Sequence, residues 1–302
     1  MDNFTHSLAG ALIGRMGARR LTPRAMPALI LAANLPDIDS FVAPWFGVSA
    51  RTFHRGFTHG IGGMVVMPFV AAALIVLWDK LMPGKDGPLR LGGLLLACFL
   101  ATLSHPLLDL TNTYGVRLLE PFSHRWFYGD SLFIVDPWIW IAVILGLEWS
   151  WRAERRGRNW TRPAITACGA VIAYIGLNSL ISARAVAATR PLVERVAQPQ
   201  MIVAGEVPLV FWKRQMMWRG DGVGGSGTFA PLTGAALDPA IVPLGLDDRI
   251  LRTAEQSDPQ VRDFLFWSRM PLVIRRDGRS YLSDQRFPAL RRVGFLVPLD
   301  KR

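Results

Sequence analysis

The sequence predicts a mainly α-helical membrane bundle: four full transmembrane helices plus two short N-terminal helices, followed by a small α+β extramembrane domain. Three observations lead there. Long uncharged apolar runs are confined to the part of the chain before residue 185. Beyond it charges become frequent and the apolar runs stop. Basic residues gather at the ends of the apolar runs, as the side preference of positive charge in membrane proteins requires. Of the 302 residues, 51% are hydrophobic and only 19% charged, and there are 11 Trp. Such a composition leans toward a membrane protein.

Two short apolar stretches come first, Phe4–Ile13 and Met26–Leu35, separated by Arg15, Arg19, Arg20 and Arg24. Each falls short of the ~20 residues needed to cross a bilayer. They read as a helical hairpin dipping into the membrane or as two surface helices packed on the bundle. Four longer runs follow: Ile61–Trp78, Leu91–Leu110, Ser131–Trp149 and Pro163–Ile181. The linker carrying Arg152, Arg155, Arg156, Arg158 and Arg162 belongs on the cytoplasmic side, and the Asp79–Arg90 linker falls on the same side. The Thr111–Asp130 linker then faces outward. So does everything after the fourth run.

The boundary is set at residues 184/185. Within 185–302, Pro208–Trp218 and Pro271–Asp284 read as strands, with Arg276-Asp277-Gly278-Arg279 as a hairpin turn. Asp258–Ser268 reads as a short helix with Asp258 as cap and Pro259 at its first position. Gly220–Gly227 reads as a flexible glycine loop. It lacks the Lys-Ser/Thr of a phosphate loop, so no nucleotide role is assigned.

Net charge is +11. Because the Arg residues sit at span ends, topology accounts for many of them and no nucleic-acid partner is needed. The two cysteines, Cys98 and Cys168, lie in apolar runs with no CxxC, which argues against a thiolate zinc knuckle or a disulfide framework. The N-terminal residues lack the basic segment and cleavage site of a signal peptide.

Chemistry concentrates in the histidines. All five (His6, His54, His59, His105 and His124) fall in the first 124 residues of 302, which random placement would produce roughly once in a hundred chains. His105 and Asp109, four apart at a span end, share one helix face and can reach one ion. Asp37 and Asp39 follow Pro36, which ends the preceding helix and leaves two hard-oxygen donors on turn backbone. His54 and His59 are five apart, with Gly56 to turn the chain and Arg55 between them as a candidate for a substrate anion. Taken singly, each motif also fits a helix cap or a solvated side chain. The threading from Arg counts nevertheless brings His6, Asp37, Asp39, His54, His59, His105 and Asp109 to one rim of the bundle. Seven donors suit a centre of more than one ion. His124, Asp130 and Asp136 are secondary; Asp136 is either an outer support for a ligand or the cap of the helix starting at Pro137.

At these residues the chain resembles the YdjM-type inner-membrane metal-dependent hydrolases, a family with a suggested LexA association. The resemblance rests on Asp2–His6, Asn34–Asp39, His54–His59, His105–Asp109, Pro121-Phe122-Ser123 and Ile134–Pro137. In the tail it rests on Phe266–Arg269 and Asp284–Phe287. Gly60 stands where many relatives carry Ser, which removes a hydroxyl but no ligand. The resemblance implies a multi-pass protein of the bacterial inner (cytoplasmic) membrane and a link to zinc phospholipase C chemistry. No winged-helix or helix-turn-helix pattern is present, so no direct nucleic-acid partner is expected.

The expected function is a membrane-bound metal-dependent hydrolase in which metal-activated water attacks a phosphoester or lipid-linked ester. The substrate would be a membrane lipid or another amphiphile, and the site and the C-terminal domain would face the extracytoplasmic side. The expected ligands are the seven residues above, holding Zn2+ or Mn2+, with more than one ion. Asp37, Asp109 and Arg55 are the expected catalytic groups, and Arg125 is a second candidate for an anionic headgroup. The alternatives are a divalent-metal transporter or sensor, and a non-catalytic membrane regulatory protein. Ligands clustered toward one end of the spans favour hydrolysis, since transporters keep theirs near the bilayer midplane.

Overall fold

The computed structural model describes residues 1–42, 45, 53–287 and 295–300. The chain divides into two compact units, one built from Met1–Val42 and Phe53–Asn178, the other from Ser179 onward.

The first unit is helical. Helix α1 (Asn3–Arg15) starts where the Asp2 side chain accepts from the backbone N–H groups of Phe4 and Thr5, satisfying donors that a helix start leaves open. It ends before Gly17, whose φ of 135° few other residues could adopt. Helix α2 (Ala25–Asn34) tightens into a 3-10 turn, Leu35–Ile38, around Pro36, and passes directly into the short α3 (Asp39–Val42). Helices α4 (Ile61–Leu81), α5 (Leu91–Leu110), α6 (Pro137–Arg155) and α7 (Thr161–Val193) follow. The centre of the bundle is made of small side chains: Ala28, Ala32, Ala33, Ala97 and Ala101 are fully buried. A Cβ at Gly10 would lie 2.7 Å from the Leu29 carbonyl oxygen, so α1 and α2 touch backbone to backbone. Close approach through small residues is how helices associate where lipid removes the hydrophobic drive. Large apolar side chains point outward instead, among them Phe69, Leu77, Leu145 and Ile172.

By length and composition, four segments could cross a membrane: Ala25–Val42, Ile61–Leu81, Leu91–Leu110 and Thr161–Val193. Three coincide with expected spans, but the set differs from expectation in two places. The expected third span, Ser131–Trp149, forms as α6, displaced toward its C-terminus. Its last turns carry Glu148, Arg152, Glu154 and Arg155, so the uncharged stretch is too short. The second of the expected short helices instead continues through the 3-10 turn and α3 to span length, because Pro36 bends the backbone without ending the helical course.

One set of basic residues collects at one end of the unit. Arg15 Nη1 donates to Glu154 at 2.5 Å, Arg19 also pairs with Glu154, and Arg24 Nε donates to Asp79 at 2.5 Å. Arg90 donates to the Arg20 carbonyl at 2.5 Å. This gathers the Arg-rich turn, the 79–90 linker and the end of α6 together. His105 and Asp109 lie at the opposite end of α5.

The second unit carries two antiparallel sheets. Strands β1 (Met201–Glu206), β2 (Arg214–Gly220), β3 (Val223–Ala230) and β4 (Gly234–Pro243) form a meander. Strands β5 (Pro271–Arg276), β6 (Arg279–Asp284) and β7 (Val297–Pro298) form the other sheet, and helices α8 (Arg249–Ser257) and α9 (Pro259–Trp267) precede it. The β5–β6 turn uses Asp277 and Gly278 at φ 52° and 71°, the left-handed pair a tight hairpin requires. Asp258 caps α9.

Two expectations are corrected in this unit. The Gly220–Gly227 stretch is not a loop; most of it is β3. A Cβ at Gly225 would lie 2.7 Å from the Trp218 ring, and one at Gly227 would overlap the Ala236 carbonyl. The glycines admit neighbours rather than confer flexibility. The expected strand Pro208–Trp218 begins only at Arg214, because residues 208–213 turn twice.

Candidate metal centre

Three elements bring four side chains to one point. The 3-10 turn after α2 supplies Asp37, the short 3-10 turn Phe57–His59 supplies His59, and the last turns of α5 supply His105 and Asp109. All four are buried. The oxygen of Asp37 lies 3.4 Å from Nε2 of His59 and 3.4 Å from Nε2 of His105. Asp109 Oδ2 lies 3.3 and 3.5 Å from the same two nitrogens. The two nitrogens are 3.0 Å apart.

These spacings can be tested against an ion. Ligands at the ~2.0–2.1 Å usual for zinc with nitrogen or carboxylate oxygen sit about 3.3–3.4 Å apart around a tetrahedron. The five distances fall around that value. The protonation pattern agrees. His105 Nδ1 is 2.6 Å from the Ala33 carbonyl, which can only accept, so Nδ1 carries the proton. Thr58 Oγ1 donates to Asp39 at 2.7 Å and is 2.9 Å from His59 Nδ1, so it accepts from that nitrogen. Both imidazoles therefore aim Nε2 lone pairs at one point, an arrangement that repels itself unless a cation lies between. Outer hydrogen bonds of this kind set the tautomer of metal-binding histidines. The donor set fits a divalent ion.

Asp39 and His54 occupy a second position. The Asp39 carboxylate is fully buried. It accepts from Thr58 Oγ1 at 2.7 Å and from the Arg55 backbone N–H at 3.1 Å, and it lies 2.8 Å from His54 Nδ1. Asp39, His54 and His59 form a second cluster of metal-ligand geometry. To serve both clusters, His59 would have to give up its Nδ1 proton. The geometry instead makes Asp39 the residue that orients His59, with Arg55 held in the left-handed region at φ 58° to present its N–H. His54 lies outside the helices. Burial pushes its pKa below the usual imidazole value, against the pull of Asp39.

His6 is fully buried, and its ring stacks on His105 with centroids 3.7 Å apart. Its Nε2 is 3.6 Å from Asp109 Oδ1, and neither ring nitrogen has a hydrogen-bond partner among the described residues. The same Oδ1 meets the N-terminal ammonium group and Arg55 Nη2, the latter at 3.1 Å.

Arg55, expected to reach for a substrate anion, is buried. Its guanidinium is directed to Asp109, to Asn112 Oδ1 at 2.9 Å and to the face of Tyr114. Arg125 lies over the ring of Phe127. His124 is exposed and pairs with Glu120, and it belongs to neither cluster. Asp136 caps α6, accepting from Trp138 and Ile139 N–H and from the Tyr174 hydroxyl, which fits the capping alternative.

Sequence reasoning overlooked Thr58 and Asn112. Thr58 adjoins a candidate ligand, and Asn112 falls three residues after Asp109; those neighbourhoods were the only available signal.

The family model described as YdjM inner membrane protein matches residues 1–185, the stretch that holds every residue of the cluster. The chain is 28% identical over 157 residues to the uncharacterized protein YfhP of Bacillus subtilis (strain 168), a match covering 49% of this chain and 45% of that protein. The match thus spans less than half the length of this curated relative. No solved structure matches the chain. A family model that covers well over half of the chain, and whose matched region contains the buried Asp/His cluster, decides membership: the chain belongs to the YdjM inner membrane protein family.

Proposed function

We propose that the protein is a multi-pass membrane hydrolase that uses a divalent ion, Zn2+ or Mn2+, to cleave a phosphoester or lipid-linked ester at the membrane–water interface. One observation carries this reading: Asp37, His59, His105 and Asp109 bring one donor atom each to a single buried point, all within 4.8 Å of one another. A bound divalent ion supplies a water of lowered pKa and stabilises negative charge on the ester oxygen. Asp109 is held in place by Arg55 on its other oxygen. Among the four donors, Asp37 has the most exposed side chain, at 13%, and is the group positioned to take the proton of the attacking water.

His6 and Asp109 would be the residues to hold a second ion, were one bound beside the first. A buried imidazole with two unsatisfied nitrogens beside a carboxylate calls for a cation. The cluster lies at the end of the unit opposite the Arg-rich turn, and the preference of positive charge for the cytoplasmic side puts it on the extracytoplasmic face. An amphiphilic substrate suits that position.

A second reading has its own observation. Four protein donors, nearly all without exposure, complete a tetrahedron, and closed shells are the mark of structural or sensory ions.

The test uses the full chain in nanodiscs. Metal content is measured beside metal-dependent headgroup release from anionic and zwitterionic phospholipids and hydrolysis of soluble phosphoesters, for the wild type and Asp109→Ala. Bound metal with turnover that Asp109→Ala abolishes supports hydrolysis. Bound metal without turnover supports the closed-site reading, and vectorial uptake in proteoliposomes supports transport. Absence of metal after zinc or manganese loading overturns all three.

A further inference from the structure

Two connections at one end of the four-stranded sheet carry strongly exposed apolar side chains. We infer that the β1–β2 and β3–β4 connections of the four-stranded sheet dip into the lipid–water interface of the bilayer that α7 leaves, and so anchor the C-terminal unit to the membrane surface.

Three observations meet here. The first is exposure: Leu209 is 62%, Trp212 45% and Leu232 100% exposed. Leu209 also sits at φ 66°, a region that a side chain of its size rarely adopts.

The second is topology. In the meander, Glu206 pairs with Arg214, Arg214 with Phe229, and Phe229 with Ala235. The 207–213 and 231–233 connections therefore lie at the same end of the sheet. At the other end the β2–β3 turn holds exposed Asp221 and Gly222, and Asp221 accepts from the Gln198 N–H at 2.7 Å; Ile241 and Val242 of β4 are part-exposed beside it, but no connection there carries a Trp or a fully exposed Leu among the described residues.

The third is the position of that apolar end along α7. No charged residue occurs from Pro163 to Ile181, and the first to follow is exposed Arg184, so the apolar course of α7 ends at about Ser182. Arg214, the first residue of β2, donates from Nε to Ser182 Oγ at 2.8 Å. Ile181, Ala185 and Val193 pack with Ile202, Ala204, Met216, Trp218 and Phe229. The helix climbs from Ser182 to Val193 over ~16 Å at 1.5 Å per residue, and the six residues of β1 come back over about the same distance. The apolar connections are thereby returned to the level at which the helix leaves the hydrocarbon. Trp beside Leu, flanked by Lys213 and Arg184, is the composition of an interfacial anchor above anionic lipid. The occupant is lipid rather than a second protein, because the patch lies level with Ser182, where the apolar course of α7 ends, and that end of the helix belongs to the same unit.

The test places a label at each end of the sheet. In a chain with Cys98→Ala and Cys168→Ala, Leu232→Cys or Asp221→Cys carries an environment-sensitive fluorophore. Both sites are exposed, so labelling leaves the fold in place. The protein is reconstituted in phosphatidylcholine/phosphatidylglycerol vesicles that contain nitroxide lipid. The label at 232 is expected to emit at shorter wavelength and to be quenched several-fold more strongly than the label at 221. Equal, solvent-level signals at the two sites overturn the inference. So does a difference that vanishes in nanodiscs holding one copy each, since a second chain would then be covering the patch.

Discussion

Replacing Asp39 with Asn separates the two parts that this carboxylate could play. As a ligand of its own ion, Asp39 would take one equivalent of metal with it when removed. As the residue that orients His59, it would leave the count unchanged and weaken the affinity. The structure favours the second outcome. Asp39 meets donors on both oxygens: His54 on Oδ1, and Thr58 and the Arg55 N–H on Oδ2. An Asn amide sets an NH2 against one of these sides, and a buried donor or acceptor left unmatched costs about 1–3 kcal/mol. His59 also loses the negative charge behind its Nδ1–H, which makes Nε2 a poorer donor to metal. Removing outer partners of this kind typically weakens metal binding ~10–100-fold, about 1.4–2.7 kcal/mol. The assay is a zinc titration against a chromophoric chelator in nanodiscs, paired with elemental analysis at saturation. The expected result is a 10–100-fold weaker Kd, on the scale of outer-partner losses, with unchanged stoichiometry. Loss of a full equivalent at saturation would show that Asp39 is itself a ligand and would falsify the assignment. So would an affinity equal to wild type.

Three further outcomes are expected. Gly63→Ala should displace the Phe57–His59 turn, because the new methyl overlaps the Thr58 carbonyl; overpacking of this kind costs ~1–3 kcal/mol, read as a lower midpoint of thermal unfolding together with reduced zinc occupancy. Asp136→Ala should cost about 1 kcal/mol through loss of the α6 cap and leave metal content untouched; a fall in bound metal would place Asp136 in the site after all. In the C-terminal unit, burial pushes the Asp284 pKa up, but Arg286, with Ser268 and the Arg286 N–H, outweighs it and holds the carboxyl below its usual value. Because the folded value is depressed, the stabilisation is complete above the unfolded value of ~3.9 and is lost as pH falls through the folded one. Protection factors of the β5–β6 amides, corrected for the intrinsic exchange rate at each pH, should therefore fall below about pH 4 in the wild type, and the fall should be weaker in Asp284→Asn.

Much of the site was legible before the fold, and the reason is chemical. Histidines and carboxylates beside apolar spans are costly without partners, so their presence at the ends of the runs identifies them as a set. The Arg clusters then place the set at one end, because charge preference acts on each loop separately. The roles inside the set were not legible. Asp37 and Asp39 are two residues apart, yet one points to the shared centre and the other to the back of His59. That choice depends on the 3-10 turn after Pro36 and on the left-handed Arg55, neither of which leaves a periodic trace in the sequence. Arg55 likewise reads as an anion binder until its burial against Asp109 and Asn112 is seen.

The same division runs through the fold. Apolar run length and charge placement, which are local and additive, determined by themselves that this is a membrane chain with a separate C-terminal region, and marked which residues carry the chemistry. Only the tertiary structure decided that α6 starts at Pro137 rather than at Ser131, that the helical course from Ala25 runs on to Val42, and that the glycines of β3 make room for Trp218 and Ala236. It alone decided which nitrogen of each histidine faces the metal centre. Those outcomes depend on contacts between residues far apart in the chain, and such contacts are set by packing that no single stretch of sequence contains.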